Sequence, residues 1–237
     1  MILRRRNYEL YNLSKNPFPY APIPEDKPKI FIGNEKAVKQ LLDIVSTTLI
    51  TNHSMHTVII GPYGSGKSHM LRFIERTIND STQGSSPLVF SCYISSPGAR
   101  FLHFYQKFVD ELGLNRLRRI AESKPVHNQP YDVSQAFQCL NDNKSYLLAW
   151  RWLLGEKLKI ENRNTLGVSR NLDDPLALSL FSYIIHSMRS IGYKLVCLLV
   201  DELETLNELQ LYQRQSMFNA QRFMVDDNPE NLCAIYA

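Results

Sequence analysis

Apolar and polar positions along the chain change their period several times, and each change marks an element. Ala37, Leu41, Leu42, Ile44 and Val45 recur at helical steps and predict a helix over residues 35–49. Thr57-Val58-Ile59-Ile60 is a β-branched run that predicts a strand. Met70, Leu71, Phe73 and Ile74 return to helical spacing soon after it. Leu88, Val89, Phe90 and Ile94 predict a second strand over 86–94, followed by a helix over 101–112. Pro175-Leu176-Ala177-Leu178 with Phe181, Ile184, Ile185 and Met188 predicts a long amphipathic helix. It leads into Leu195-Val196-Cys197-Leu198-Leu199-Val200, an unbroken apolar run of the kind buried on both faces of a parallel sheet. Residues 203–225 read as helix, Asp226-Asp227-Asn228-Pro229 as a break, and residues 232–237 as a further apolar strand. Strands alternating with helices predict an α/β fold with a parallel sheet flanked by helices.

Two stretches interrupt this alternation. Residues 16–24 carry too many prolines for helix or central strand, so residues 1–34 read as an extended lead-in and 35–237 as the core. Residues 113–130 are polar, basic and loop-rich, and they precede the aromatic run Tyr146-Leu147-Leu148-Ala149-Trp150-Arg151-Trp152-Leu153-Leu154. An inserted helical, aromatic-rich segment over about 113–174 follows. Trp150 and Trp152 are two positions apart and cannot share a helix face. They read as core or partner packing rather than as a base-stacking platform, and the segment as a possible docking surface for another protein. Because residues 232–237 stop inside an apolar strand, the chain is expected to be the N-terminal portion of a longer protein.

The chemistry lies between the first strand and its helix. Gly61-Pro62-Tyr63-Gly64-Ser65-Gly66-Lys67-Ser68 fits the phosphate-binding loop G-x-x-x-x-G-K-[ST] in its required strand–loop–helix context. Glycines let backbone N–H groups close around phosphates, and the helix N-terminus adds a favourable dipole. Lys67 is expected to reach the β- and γ-phosphates, Ser68 to ligate Mg²⁺, and the site to extend to His69. A second element agrees: the apolar run 195–200 ends in Asp201-Glu202, a Walker B pattern. Asp201 is the metal-side acid of this reading, and Glu202 the base that orients and deprotonates the attacking water, with Glu204 next in line. The expected cofactors are ATP and Mg²⁺.

At 237 residues and 44% hydrophobic content the chain can bury a sizeable core. No apolar run is long enough to span a bilayer, and MILRRRNYEL has no apolar signal core, so a cytoplasmic protein without a membrane partner is expected. Cys92, Cys139, Cys197 and Cys233 form no C-x-x-C pair and read as reduced thiols. The net charge of +4 permits nucleic-acid binding without requiring it, and Arg4-Arg5-Arg6 and Arg116-Leu117-Arg118-Arg119 are the candidate phosphate contacts.

With these motifs in place a resemblance emerges. GPYGSGKS and LVCLLVDE, preceded by the proline-rich lead-in and by FIGNE before a helix, resemble the AAA+ ATPases of the origin-recognition and STAND-like branches. The second half, with WRWLLGEKLKIENRNTLGV and IGYKLVCLLVDELETL, looks like the P-loop ATP-binding family of BREX-type phage-defence systems. The resemblance implies an ATPase that acts as a switch or motor with DNA or a DNA-bound defence complex as partner, and that assembles into oligomers. It places Phe31, Ile32 and Gly33 beside the adenine. Arg214 or Arg222 would serve a neighbouring subunit's site, and a sensor and helical lid would follow residue 237. A replication-initiator-like ATP-dependent DNA binder and a nucleotide-holding scaffold without turnover are the alternative functions.

Overall fold

A computed structural model of the chain describes residues 28, 31–81, 88–123 and 130–237. Arg4-Arg5-Arg6, the proline-rich stretch 16–24 and the predicted strand start at 86–87 lie outside the described residues. Four strands make one parallel sheet: β1 (Met55–Val58), β2 (Val89–Ile94), β3 (Leu195–Val200) and β4 (Leu232–Tyr236), in the order β1-β4-β3-β2. The predicted α/β architecture with a helix-flanked parallel sheet is therefore present.

Side chains alternate across β3 as the two-residue period demands. Leu195, Cys197 and Leu199 join a core with α1 (Glu35–Thr51) and α2 (Lys67–Ser81). Val196, Leu198 and Val200 face the opposite core, with α3 (Phe101–Ser123), α7 (Asp174–Ser187) and α8 (Leu211–Asp227). Both faces are covered, which is why this strand reads as a continuous apolar run. The chain crosses the sheet one way from β1 to β2 and returns the other way through β3 to β4. Crossovers of one hand must then cover opposite faces, with α2 on one and α3 to α8 on the other.

The sequence reading needs four corrections. The stretch after Gly113 is helix rather than loop: α3 continues to Ser123 across a kink at Gly113 (φ 77°, ψ 156°), because Leu117 and Ile120 carry its apolar face into the core. Residues 124–129 are outside the described set. The insertion does form helices, α4 (Tyr131–Cys139), α5 (Tyr146–Leu153) and α6 (Ile160–Leu166), whose contacts run to α3 and to one another. Its residues are continuous with the α3–α7 core: Trp152 is fully buried, its indole N–H donating to the Arg170 carbonyl at 2.9 Å. Trp150 packs half-buried against the same core.

The second correction concerns α7, which is central rather than amphipathic. Leu180, Phe181, Tyr183, Ile184 and Ile185 are all buried, and Phe181 meets Phe108 edge-on at 4.9 Å. Asp173 caps α7 through the Leu176 N–H at 3.0 Å, and Asp174 accepts the Leu102 N–H at 3.0 Å, so one acidic pair fixes the starts of both α7 and α3.

Third, the predicted helix over 203–225 is broken. Leu203–Glu208 forms a 3₁₀ turn and α8 begins only at Leu211. Fourth, β1 begins and ends earlier than the β-branched run suggested. Val58 is 56% and Ile60 92% exposed, so Ile60 has already left the sheet and only the Ile59 N–H still pairs, with the Tyr236 carbonyl at 2.7 Å.

Candidate nucleotide site

The loop after β1 is held by conformation more than by packing. Gly64 (φ 80°) and Gly66 (φ 87°) occupy the left-handed region, where a side chain is strained. Gly61 is there for closeness: a Cβ on it would meet Ser65 Oγ at 2.8 Å. The Ser65 N–H donates to the Pro62 carbonyl at 3.2 Å, and the first helical bond beyond the loop runs from the Met70 N–H to the Gly66 carbonyl at 2.9 Å. α2 thus opens at Lys67 with the positive dipole end of a helix N-terminus. Lys67 Nζ folds back onto the loop, donating to the carbonyls of Gly61 at 3.0 Å and Pro62 at 3.4 Å. Phosphate oxygens would offer that ammonium charge-assisted acceptors in the same place.

The two acids leave the neighbouring end of β3. Asp201 is 2% exposed; its Oδ1 accepts the Glu202 N–H at 2.9 Å and its Oδ2 accepts the Tyr93 hydroxyl at 2.6 Å. Burial, reinforced by donation to Asp201, pushes the Tyr93 phenol well up, with Arg72 pulling the other way, so it remains a donor. Glu202 adopts a left-handed conformation (φ 53°, ψ 41°), which costs a non-glycine residue on the order of 1–3 kcal/mol. The bends around it hold it there: Thr205 donates its N–H and its hydroxyl to the Glu202 carbonyl at 3.0 and 2.7 Å, and the Leu203 N–H donates to Ala237 at 2.8 Å.

β4 lies between β1 and β3, so the loop and the acids are separated by two strand spacings, about 10 Å. The β1 chain leaves toward one face and the β3 chain toward the other. That divergence opens a crevice at the carboxyl ends of the strands, where open α/β sheets take their ligands. A cavity of about 460 Å³ occupies it, lined among others by Gly61, Tyr63 and Lys67 from the loop, Leu203 and Glu204 from the turn, Ala237, and Phe218 of α8. Glu204 therefore shares a cavity with Lys67, whereas Ser68, His69, Asp201 and Glu202 are not among its lining residues.

Phe31 lies on the other side of the loop, with ring centroids 5.5 Å from His69 and 5.6 Å from Phe73. Ile32 is 85% exposed, and the Gly33 N–H donates to Glu35 Oε1 at 3.0 Å. Phe31 packs on the α2 side, and none of the three lines the cavity.

Sequence reasoning missed Phe218, which only folding brings to the loop, and Tyr93, hidden in an apolar strand. Arg116, Arg118 and Arg119, the candidate phosphate contacts, each spend one or two of five guanidinium N–H groups inside the protein, and Arg119 remains exposed. Arg116 donates to Tyr193 Oη at 3.0 Å and to the Leu112 carbonyl, Arg118 to the Leu140 carbonyl at 3.0 Å, and Arg119 to the Ile191 carbonyl at 2.8 Å.

Ser68 and Asp201 are the oxygen donors suited to a hard cation. Among the described residues no group of three or more His, Cys, Asp or Glu could hold a metal. Each Asp201 oxygen accepts one of the hydrogen bonds above and keeps a lone pair. The four cysteines are free, and Cys92, Cys197 and Cys233 are buried.

The family model described as BREX system ATP-binding protein BrxC/D matches residues 132–234. Over that stretch the chain is similar to the BREX ATP-binding family. The match runs from α4 into β4, so it contains Asp201 and Glu202 and most of the insertion, and it leaves Gly61 to Ser68 outside. It supports the BREX side of the resemblance and not the finer AAA+ or STAND branch. No curated protein and no solved structure matches the chain. No helix among the described residues is long and apolar enough to cross a membrane.

Proposed function

We propose that this chain is an AAA+-like P-loop core that binds and hydrolyses ATP and serves as a nucleotide-driven switch or motor in a DNA-associated phage-defence complex. The observation that carries this reading is the placement of Gly61 to Ser68 and of Asp201-Glu202 at the carboxyl ends of β1 and β3, on either side of β4. The loop N–H groups and Lys67 bind the β- and γ-phosphates. Ser68 and Asp201 hold Mg²⁺, which neutralises phosphate charge when bound. Glu202 orients the attacking water and takes its proton, and its left-handed backbone fixes where that carboxylate starts from. Phe31, Ile32 and Gly33 form the adenine wall, a role favoured by the contact of Phe31 with His69, which directly follows Ser68.

The match to an ATP-binding family of a phage-defence system supports the nucleotide and the biological setting. DNA contact through Arg116, Arg118 and Arg119 would use the guanidinium N–H groups left over from their internal bonds, with Arg119 the exposed one of the three. Arg214 and Arg222 lie one helical turn on either side of Phe218 on α8, and by the resemblance either would serve a neighbouring subunit's nucleotide. Such an arginine raises turnover roughly 10³- to 10⁵-fold in phosphoryl-transfer systems. Subunit mixing checks this: Arg214→Ala and Glu202→Gln proteins that never complement each other remove the arginine from the site.

ATP binding and turnover, measured with and without duplex DNA, test the central reading. DNA-stimulated turnover supports a DNA-coupled ATPase. Tight binding with no turnover under either condition replaces it with a nucleotide-held switch or scaffold.

A further inference from the structure

A carboxylate as buried as Asp201 needs hydrogen-bond donors to hold its charge. One is local, the Glu202 N–H. The other comes from far away in the chain: Tyr93 Oη donates to Asp201 Oδ2 at 2.6 Å, a short bond of the kind formed with an ionised acceptor. Tyr93 sits opposite Leu199 in the β2–β3 register and on the sheet face turned toward α2, so its phenol reaches forward along the strand to the acid two residues on. The ring is itself fixed. The Arg72 guanidinium lies 3.5 Å from its centroid, and Arg72 Nη1 pairs with Glu75 Oε2 at 3.3 Å. Arg72 follows Ser68 by one turn of α2, the helix that opens at the phosphate loop. Glu75, Arg72, Tyr93 and Asp201 therefore form a continuous line from that helix to the end of β3.

We propose that Tyr93 is a positioning residue for Asp201: it fixes the carboxylate rotamer through Oδ2, so that the free lone pairs face the metal side of the nucleotide, and Arg72 fixes the ring. The proposal rests on Asp201 as the metal-side acid. A purely structural Tyr93 would satisfy a buried oxygen and do nothing to metal affinity.

The test uses the full chain and a non-hydrolysable ATP analogue, titrated with Mg²⁺ in wild type, Tyr93→Phe and Asp201→Asn, beside thermal melts of each. For Tyr93→Phe the expected result is a Mg²⁺ midpoint raised roughly tenfold or more, the usual size for a partner that orients a metal ligand, with analogue affinity in EDTA unchanged. A lower melting temperature with an unmoved midpoint overturns the proposal. If Asp201→Asn shifts the midpoint and Tyr93→Phe does not, the positioning role fails and the site reading stands. If neither shifts it, the assignment of Asp201 fails and the proposal with it.

Should Tyr93→Phe not fold, Arg72→Lys keeps a positive charge beside Glu75 but loses the planar group lying 3.5 Å from the Tyr93 ring centroid. The expected result is again a raised Mg²⁺ midpoint with analogue affinity in EDTA unchanged, and an unmoved midpoint overturns the proposal.

Discussion

The phosphate loop and the helical insertion are built on opposite principles. Tyr63 and Ile60 in and beside the loop are more than 90% exposed, and the loop keeps its shape through Gly64 and Gly66, the closeness of Gly61 to Ser65, and a lysine folded over its own carbonyls. In the insertion, Trp152, Leu153, Leu140 and Ala136 are fully buried and continuous with Phe108 and Phe181. One region spends its residues on backbone geometry aimed at a ligand, and the other on dense packing that holds the sheet and its acids in place. Substitutions in the first should therefore change function with little effect on stability, and those in the second the reverse.

The largest expected separation is at the end of β3. Glu202→Gln should slow turnover by roughly 10²- to 10⁴-fold while nucleotide affinity holds, as single-turnover and equilibrium binding assays would record. Undiminished turnover would move the base to Glu204, which already lines the cavity. On the packing side, Trp152→Ala should cost about 3–5 kcal/mol of stability in denaturant titrations, because it empties a fully buried site and removes the donor to Arg170. If the protein still binds nucleotide normally at low temperature, the two regions are separable as described. Lys67→Ala removes charge-assisted hydrogen bonds of about 1.5–3 kcal/mol each, so nucleotide affinity should fall at least tenfold with an unchanged melting temperature. Equal affinity would end the loop assignment.

Gly64→Ala forces a side chain into a left-handed conformation at a cost of about 1–2 kcal/mol, with no clash to add because nothing lies within 4 Å. Its effect should appear in nucleotide binding before it appears in thermal stability. The smallest effect is expected for Arg222→Ala: its pair with Asp226 at 3.5 Å is largely exposed, so the melting temperature should hardly move. A loss of turnover in that variant would point to a role across a subunit boundary.

The sequence by itself determined the parts whose signal is local. The glycine spacing of Gly61 to Ser68, the apolar run ending in Asp201-Glu202 and the alternation of strands with helices needed no knowledge of distant residues, because phosphate loops and doubly covered strands impose their patterns on adjacent positions. Even there the edges slipped: Ile59 and Ile60 look like strand but fall beyond β1, since β-branched character does not say where pairing stops.

Only the tertiary structure decided what depends on long-range contact. Polar composition made the stretch after Gly113 look like loop, yet burial of Leu117 and Ile120 makes it helix. The bonds from Arg116 to Tyr193, Arg118 to Leu140 and Arg119 to Ile191 tie this basic cluster to other elements, which the run of charges does not reveal. The convergence of Tyr63, Glu204 and Phe218 on one cavity, and the bond from Tyr93 to Asp201, join residues far apart in the chain. No periodicity encodes such pairs, because they arise from strand order and from which sheet face each side chain occupies.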